Sequence, residues 1–332
     1  MGLFGRLLGA IALLGVFASA CAPAQPPPVE KARVTFAAKE VHYAPYFVAI
    51  EKGYYAQEGI DLEIISAAGN ASVAAILAGD AEFTTSPASA LSAILKDAPM
   101  KVIFSHMDRP NYELWSSDPA IKTLGDLKGK SVAVIGRGDT MEISARLALA
   151  KAGQDSDGVA YVALGPGAAR LAAIQSGSVA AAVLSLADVE QLKRAGAKGN
   201  MLVDVAKDVR MLFNGAATSD KILKERPEFV ARFMRATLKG REYARTFKNE
   251  TLDIVGKYNN KPREANEVEY DSLVAVMTTD GTLPVEAQEA DTRVRAPLIG
   301  ATTIRPASEV YDYSVARRVG EEIKKNGWQP TR

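Results

Sequence analysis

A short segment of this chain occurs twice. Gly69-Asn-Ala-Ser-Val-Ala-Ala-Ile-Leu-Ala-Gly79 is echoed by Gly167-Ala-Ala-Arg-Leu-Ala-Ala-Ile-Gln-Ser-Gly177. Each copy reads as a small-residue turn, a short helix and a glycine stop. Each is followed by an expected strand (Ala81 to Thr85; Ala180 to Leu184) and a serine-containing turn, Ser86-Pro87 or Ser185-Leu186, that opens another helix. A supersecondary unit used twice predicts two similar α/β lobes. Two lobes leave a cleft between them, and small ligands favour such clefts. The competing reading is coincidence between two alanine-rich helices.

The surrounding pattern alternates strand and helix, as a parallel sheet requires. Strands are expected at Arg33 to Ala37, Asp61 to Ile65 and Met100 to Phe104, with a helix from Tyr43 to Lys52 stopped by Gly53. Glu113 to Ser116 reads as a strand leading out of the first lobe. Ser131 to Ile135 opens the second, followed by the loop Gly136-Arg-Gly-Asp-Thr140. Asp139 with Glu142 three residues on is a capping-box signature for a helix from Thr140 to Ala152. Glu225-Arg-Pro-Glu-Phe then starts a long helix to about Lys248, with Phe229, Val230, Phe233, Met234 and Leu238 at helical spacing. Pro227 falls in its first turn, where a missing N–H costs nothing. Further helices are expected at Leu252 to Tyr258, Val268 to Met277 and Val310 to Asn326. Residues 33–115 and 216–332 thus form lobe 1, and 116–215 lobe 2, with crossovers near 113–120 and 213–218.

The start of the chain reads differently. Arg6, the apolar run Leu7 to Phe17 and Ala18-Ser-Ala20 make residues 1–20 a secretory signal. Cys21 follows at once and is the only cysteine. It resembles the lipidated cysteine of bacterial lipoproteins, although Ala18 stands where that pattern usually has Leu. An ordinary cleavage site with an incidental cysteine is the alternative. Residues 21–32 include Pro26-Pro-Pro28 and read as an extended tether. These features predict an extracytoplasmic protein, lipid-anchored to the membrane through Cys21.

Composition excludes some classes. Forty basic against thirty-nine acidic residues give a formal charge of +1, which argues against a nucleic-acid partner. A hydrophobic content of 48% supports a well-filled core.

Three segments carry a family resemblance. Tyr43-Ala-Pro-Tyr-Phe-Val-Ala-Ile-Glu-Lys-Gly-Tyr-Tyr-Ala-Gln-Glu-Gly-Ile-Asp-Leu-Glu63 resembles the opening of the sulfonate-, taurine- and nitrate-type substrate-binding proteins of ABC importers, with Tyr55 for the usual Phe. Ala75-Ile-Leu-Ala-Gly-Asp-Ala-Glu-Phe83 is similar to their next conserved segment, with Glu82 for Asp. Leu124-Gly-Asp-Leu-Lys-Gly-Lys-Ser-Val-Ala-Val134 is similar to their second-lobe entry. The resemblance spans about residues 33 to 245. It implies an α/β, two-lobed periplasmic-binding-protein fold of type II, closing on a ligand like a hinge. It also implies a monomer that delivers a small molecule to a permease and its ATPase. Thiamine-pyrimidine-related members include synthases that use a histidine and a Cys-rich motif; this chain has only His42 and His106 and no Cys cluster.

In open α/β sheets, ligands bind beyond the carboxyl ends of the strands. That rule selects five loops, which match the family's binding loops. His42 and Tyr43 come from the first, as donor and aromatic platform. Asn70 is expected to cap the first repeat helix and leave N–H groups facing the cleft. Thr85 and Ser86 offer hydroxyls, with simple helix capping as the alternative. Arg137 is expected to be the loop cation that forks onto a carboxylate or sulfonate. Asp139, a cap before a ligand contact, and Thr140 belong to the same loop. Gly167 mirrors the first repeat, with Ser185 and Asp188 beyond it and Asn214 at the return crossover. His106, Asp108, Arg109 and Asn111 form a polar group before the first crossover. Trp115 reads as packing, with an aromatic wall of the cleft as the alternative.

No catalytic motif, cofactor signature or Cys/His metal spacing stands out. The expectation is therefore a binder with no enzyme activity, cofactor or metal. A ligand-binding sensory lipoprotein and a pyrimidine-synthase-like enzyme are the alternatives. The ligand stays open among sulfonate, carboxylate and planar heterocycle.

Overall fold

Two five-stranded sheets share one connection pattern. The computed structural model describes residues 29–332, Pro166 excepted. The expected signal, Cys21 and the tether up to residue 28 lie outside the described residues.

The first sheet contains β1 (Glu30–Phe36), β2 (Ile60–Ser66), β3 (Phe83–Thr84), β4 (Met100–Met107) and β10 (Asn214–Ser219), in the order β2-β1-β3-β10-β4. The second contains β5 (Tyr112–Ser116), β6 (Ser131–Val134), β7 (Ala160–Ala163), β8 (Ala181–Ser185) and β9 (Asn200–Asp204), in the order β7-β6-β8-β5-β9. In each sheet a central strand, β1 or β6, pairs in parallel with both neighbours. In each, the fourth position is filled by an antiparallel strand, β10 or β5, supplied from the other side of a crossover. The repeated segments form equivalent helices, Gly69–Ala78 after β2 and Gly167–Gln175 after β7. The sequence repeat is therefore a topological repeat.

Two boundaries and one helix differ from the sequence reading. β1 begins at Glu30, so residues 30–32 are strand and not tether. Tyr112–Ser116 pairs with β8 and β9 of the second sheet, so the outgoing crossover is 108–111 and not 113–120. Alternating burial predicts a strand, but it does not say which sheet will receive it. A helix at Val285–Leu298 is the third surprise. It buries Gln288, Asp291, Thr292 and Arg295 alongside two alanines, so no apolar period marks it.

The long helix is Pro227–Thr246, with Pro227 at its first position. It buries all five apolar residues read from the sequence. Phe233 stacks on Phe83 of β3 with ring centroids 3.8 Å apart. The same helix lies against the helix Ala44–Glu51, where Gly240 lets the backbones approach. A Cβ on Gly240 would stand 2.1 Å from the Pro45 carbonyl oxygen.

The helix Val285–Leu298 bridges the lobes. Ala290, Val294 and Leu298 pack against the second-lobe core, and Ala287 and Ala296 against the first. The buried Asp291 carboxylate accepts from Arg295 Nε at 2.9 Å and from the Leu212 backbone N–H at 3.0 Å. Leu212 lies just before β10, on the return crossover.

Candidate functional site

The loops after β1, β6, β7 and β8 converge with both crossovers on a cavity of about 730 Å³. The first lobe contributes Glu40 and His42. The second contributes Ile135, Met141, Gly167, Arg170, Ser185 and Asp188. Asn111 and Phe213 come from the crossovers, and Tyr112 from the start of β5. A third wall comes from Lys261 and the helix Arg263–Val276, through Ala265, Val268 and Glu269. A larger hollow of about 980 Å³ lies elsewhere, against the opposite strand ends of the second sheet at Ser131, Ala160 and Ala180. It touches neither the crossovers nor the first lobe. The carboxyl-end rule favours the inter-lobe cavity.

His42, Gly167 and Ser185, expected from sequence, line this cavity. Tyr43, Thr85 and Asn214 form a buried polar group behind His42. The Tyr43 hydroxyl lies within reach of Thr85, Asn214 and the Ala37 backbone, and burial pushes its pKa up to about 12. Thr85 donates its hydroxyl to the Thr35 carbonyl at 2.9 Å. Among the described residues, Asn214 Oδ1 is buried without a partner. His106, fully buried on β4, donates Nε2–H to the His42 carbonyl at 2.7 Å and so braces the cleft loop from beneath. Burial holds His42 down to about 4 and His106 to about 3, so both imidazoles are neutral at neutral pH. Asp108 pairs with Arg109 at 3.0 Å and lies 3.5 Å from Arg210, away from the cavity. Trp115 is packed in the second lobe.

Other expectations change. Asn70 is exposed within the first turn of its helix, and Ala68 holds the cap position without a side-chain bond. Ser86 precedes the helix Pro87–Ile94, but its hydroxyl makes no cap bond; its own N–H donates to Thr84 Oγ1 at 3.1 Å. Asp139 does cap its helix, accepting from the Glu142 N–H at 2.9 Å, and burial raises its pKa. Thr140 is the first residue of that helix and half-buried.

Arg137 does not line this cavity. Its side chain is 54% exposed, 3.2 Å from Glu142 Oε1, and donates to the Tyr161 carbonyl at 3.1 Å. The fully buried Glu142 carboxylate needs cations around it and holds both Arg137 and Arg146. The buried guanidinium in the cavity wall is Arg170, which sequence reading passed over. One signal was available. Arg170 is the only charged residue in either copy of the repeat, standing where the first copy has Ser72. Its Nη2 donates to Asp188 Oδ2 at 3.2 Å, and Nη1 bonds the Gly165 carbonyl. Gly167 makes room for this pair, since a Cβ there would lie 2.5 Å from Asp188 Oδ1.

Comparisons with known proteins agree with this architecture. A curated riboflavin-binding protein, RibY of Chloroflexus aurantiacus, is 28% identical over 225 residues, covering 64% of this chain and 62% of that protein. A solved periplasmic sulfonate-binding protein SsuA from Methylobacillus flagellatus superposes with a TM-score of 0.74 at 18% identity, covering 92% of this chain and 98% of that one. The nitrate-binding protein NrtA from Synechocystis gives 0.67 at 14% identity, covering 89% of each. These likenesses establish the two-lobed periplasmic-binding-protein fold. Residues 40–249 match the family model described as NMT1/THI5 like, which is more than half of the chain, and the protein is a member of that family.

Proposed function

We propose that this protein is the ligand-capturing component of an ABC importer, working outside the cytoplasmic membrane, and that its ligand is a small planar heterocycle. The observation that carries this reading is the inter-lobe cavity, formed by loops of both sheets, with His42, Tyr112, Phe213, Ile135, Met141 and Val268 among its lining. Its volume falls within the range of sites for drug-sized ligands. Ile135 and Val268 are 46% and 56% exposed and line it from opposite lobes, an apolar pair suited to the two faces of a ring. The charges do not favour a small anion. Four carboxylates (Glu40, Asp188, Glu190 and Glu269) line the cavity with three cations, Arg170, Arg194 and Lys261. Lys261 is taken by Glu269 at 2.9 Å, and Arg170 by Asp188. The riboflavin-binding relative supports the same ligand class.

Thermal unfolding with riboflavin, uracil, taurine and nitrate tests the reading. A ligand at a hundred times its Kd stabilises the folded state by about 2.7 kcal/mol. A heterocycle is expected to raise the melting temperature, while taurine and nitrate leave it unchanged. A shift with the two anions and none with either heterocycle would reverse the assignment.

The same proposal includes a signal at residues 1–20, a lipid on Cys21 and delivery by a monomer to a permease and its ATPase. Cys21→Ala is expected to move the protein into the soluble fraction or leave an uncleaved precursor. Normal processing with unchanged, salt-resistant membrane attachment would exclude the anchor.

A further inference from the structure

Arg170 has a bonding requirement that the protein does not meet. Its side chain is almost wholly buried, at 2% exposure, in the wall of the cleft. Two of its nitrogens are satisfied by Gly165 and Asp188, but among the described residues Nε is buried with no partner. An N–H of a charged group left in this state is costly, and native structures seldom keep one without reason. Asp188 carries the complementary vacancy. Its Oδ2 accepts from Arg170 Nη2 and, at 3.3 Å, from the Ser185 N–H, whereas among the described residues Oδ1 accepts no hydrogen bond. A free donor and a free acceptor therefore stand on adjoining side chains of one cleft wall. The missing Cβ at Gly167 leaves room for that oxygen.

We infer that Arg170 and Asp188 together read one edge of the ligand, and that this edge is a ring amide or imide, a carbonyl oxygen beside an N–H. The carbonyl completes Arg170, and the N–H donates to Asp188 Oδ1. The inference rests on the cleft being the ligand site and specifies which heterocycles it takes. A ring without an adjoining carbonyl and N–H leaves one of the two groups unpaired and is rejected for that reason.

The sharpest test alters the ligand and leaves the protein intact. Titration calorimetry on the full chain compares riboflavin and uracil with 3-methylriboflavin and 3-methyluracil. Methylation removes the donor, and affinity is expected to fall roughly ten- to a hundredfold, the usual range for a hydrogen bond to a charged group. In Asp188→Asn the parent imides bind more weakly and the methylation penalty shrinks, because the charged acceptor is gone. The melting temperature of the empty variant checks that it folds. Equal binding of methylated and parent rings by the wild type overturns the inference. So does tight binding of a heterocycle with no amide or imide edge, which would leave the cleft itself standing as the site. Binding of none of the heterocycles overturns both readings.

Discussion

Replacing Asp291 with alanine is expected to cost about 3–5 kcal/mol of unfolding free energy, the range for breaking a buried ion pair from one side. Arg295 is 2% exposed and would keep its charge with no carboxylate beside it. The Leu212 N–H would lose its acceptor at the same time. Urea denaturation measures the effect directly, through a lower midpoint at an unchanged slope. A double variant, Asp291→Ala with Arg295→Met, is expected to recover much of the loss, since removing both charges removes the desolvation penalty as well. A loss below about 1 kcal/mol in the single variant would show that the pair is relaxed or hydrated. The position also matters for function. Asp291 ties the bridging helix to the return crossover, so the variant is expected to weaken the link that keeps the two lobes in register.

Gly240→Ala should destabilise the protein by about 3 kcal/mol, the upper end of the usual cost of overpacking. The sign is informative. In an exposed helix, alanine stabilises relative to glycine by roughly 0.5–1 kcal/mol. Here the new methyl would meet the Pro45 carbonyl oxygen at 2.1 Å and the Ala49 Cβ at 2.8 Å. Neither belongs to a flexible side chain that could turn away, so the two helices must separate. That separation loosens the stack of Phe233 on Phe83 beneath. A melting temperature equal to or above the wild type would show that the helices can part without loss.

The features legible in the sequence were those written in local chemistry. The repeat gave the duplicated topology because each copy carries its own turn, helix and stop. The spacing of Phe229, Val230, Phe233, Met234 and Leu238 gave the long helix because one face of it is buried. Asp139 was readable as a cap, which is a contact three residues long. What stayed hidden depends on distant partners. Tyr112–Ser116 could have joined either sheet, since its pattern does not name its neighbour. Arg137 looked free because the pull of Glu142 on it depends on burial that the sequence does not display. Arg170 looked like part of a repeat helix, and only the fold puts it beside Asp188. The helix Arg263–Val276 was expected near its observed place, but nothing local says that Val268 and Glu269 face the cleft.

The interleaving of β5 and β10 also sets a timetable for synthesis. A ribosome releases β1 to β4 first, yet the strand that belongs between β3 and β4 is residues 214–219. Until that stretch emerges, the first sheet has a gap near its centre. Every strand of the second sheet, β5 to β9, has been made by then. A single cut between β5 and β6 would deprive each sheet of its antiparallel member, so neither piece is a self-sufficient folding unit. The half that starts later is the first to own all its parts, and the half that starts earlier must wait for the chain to come back.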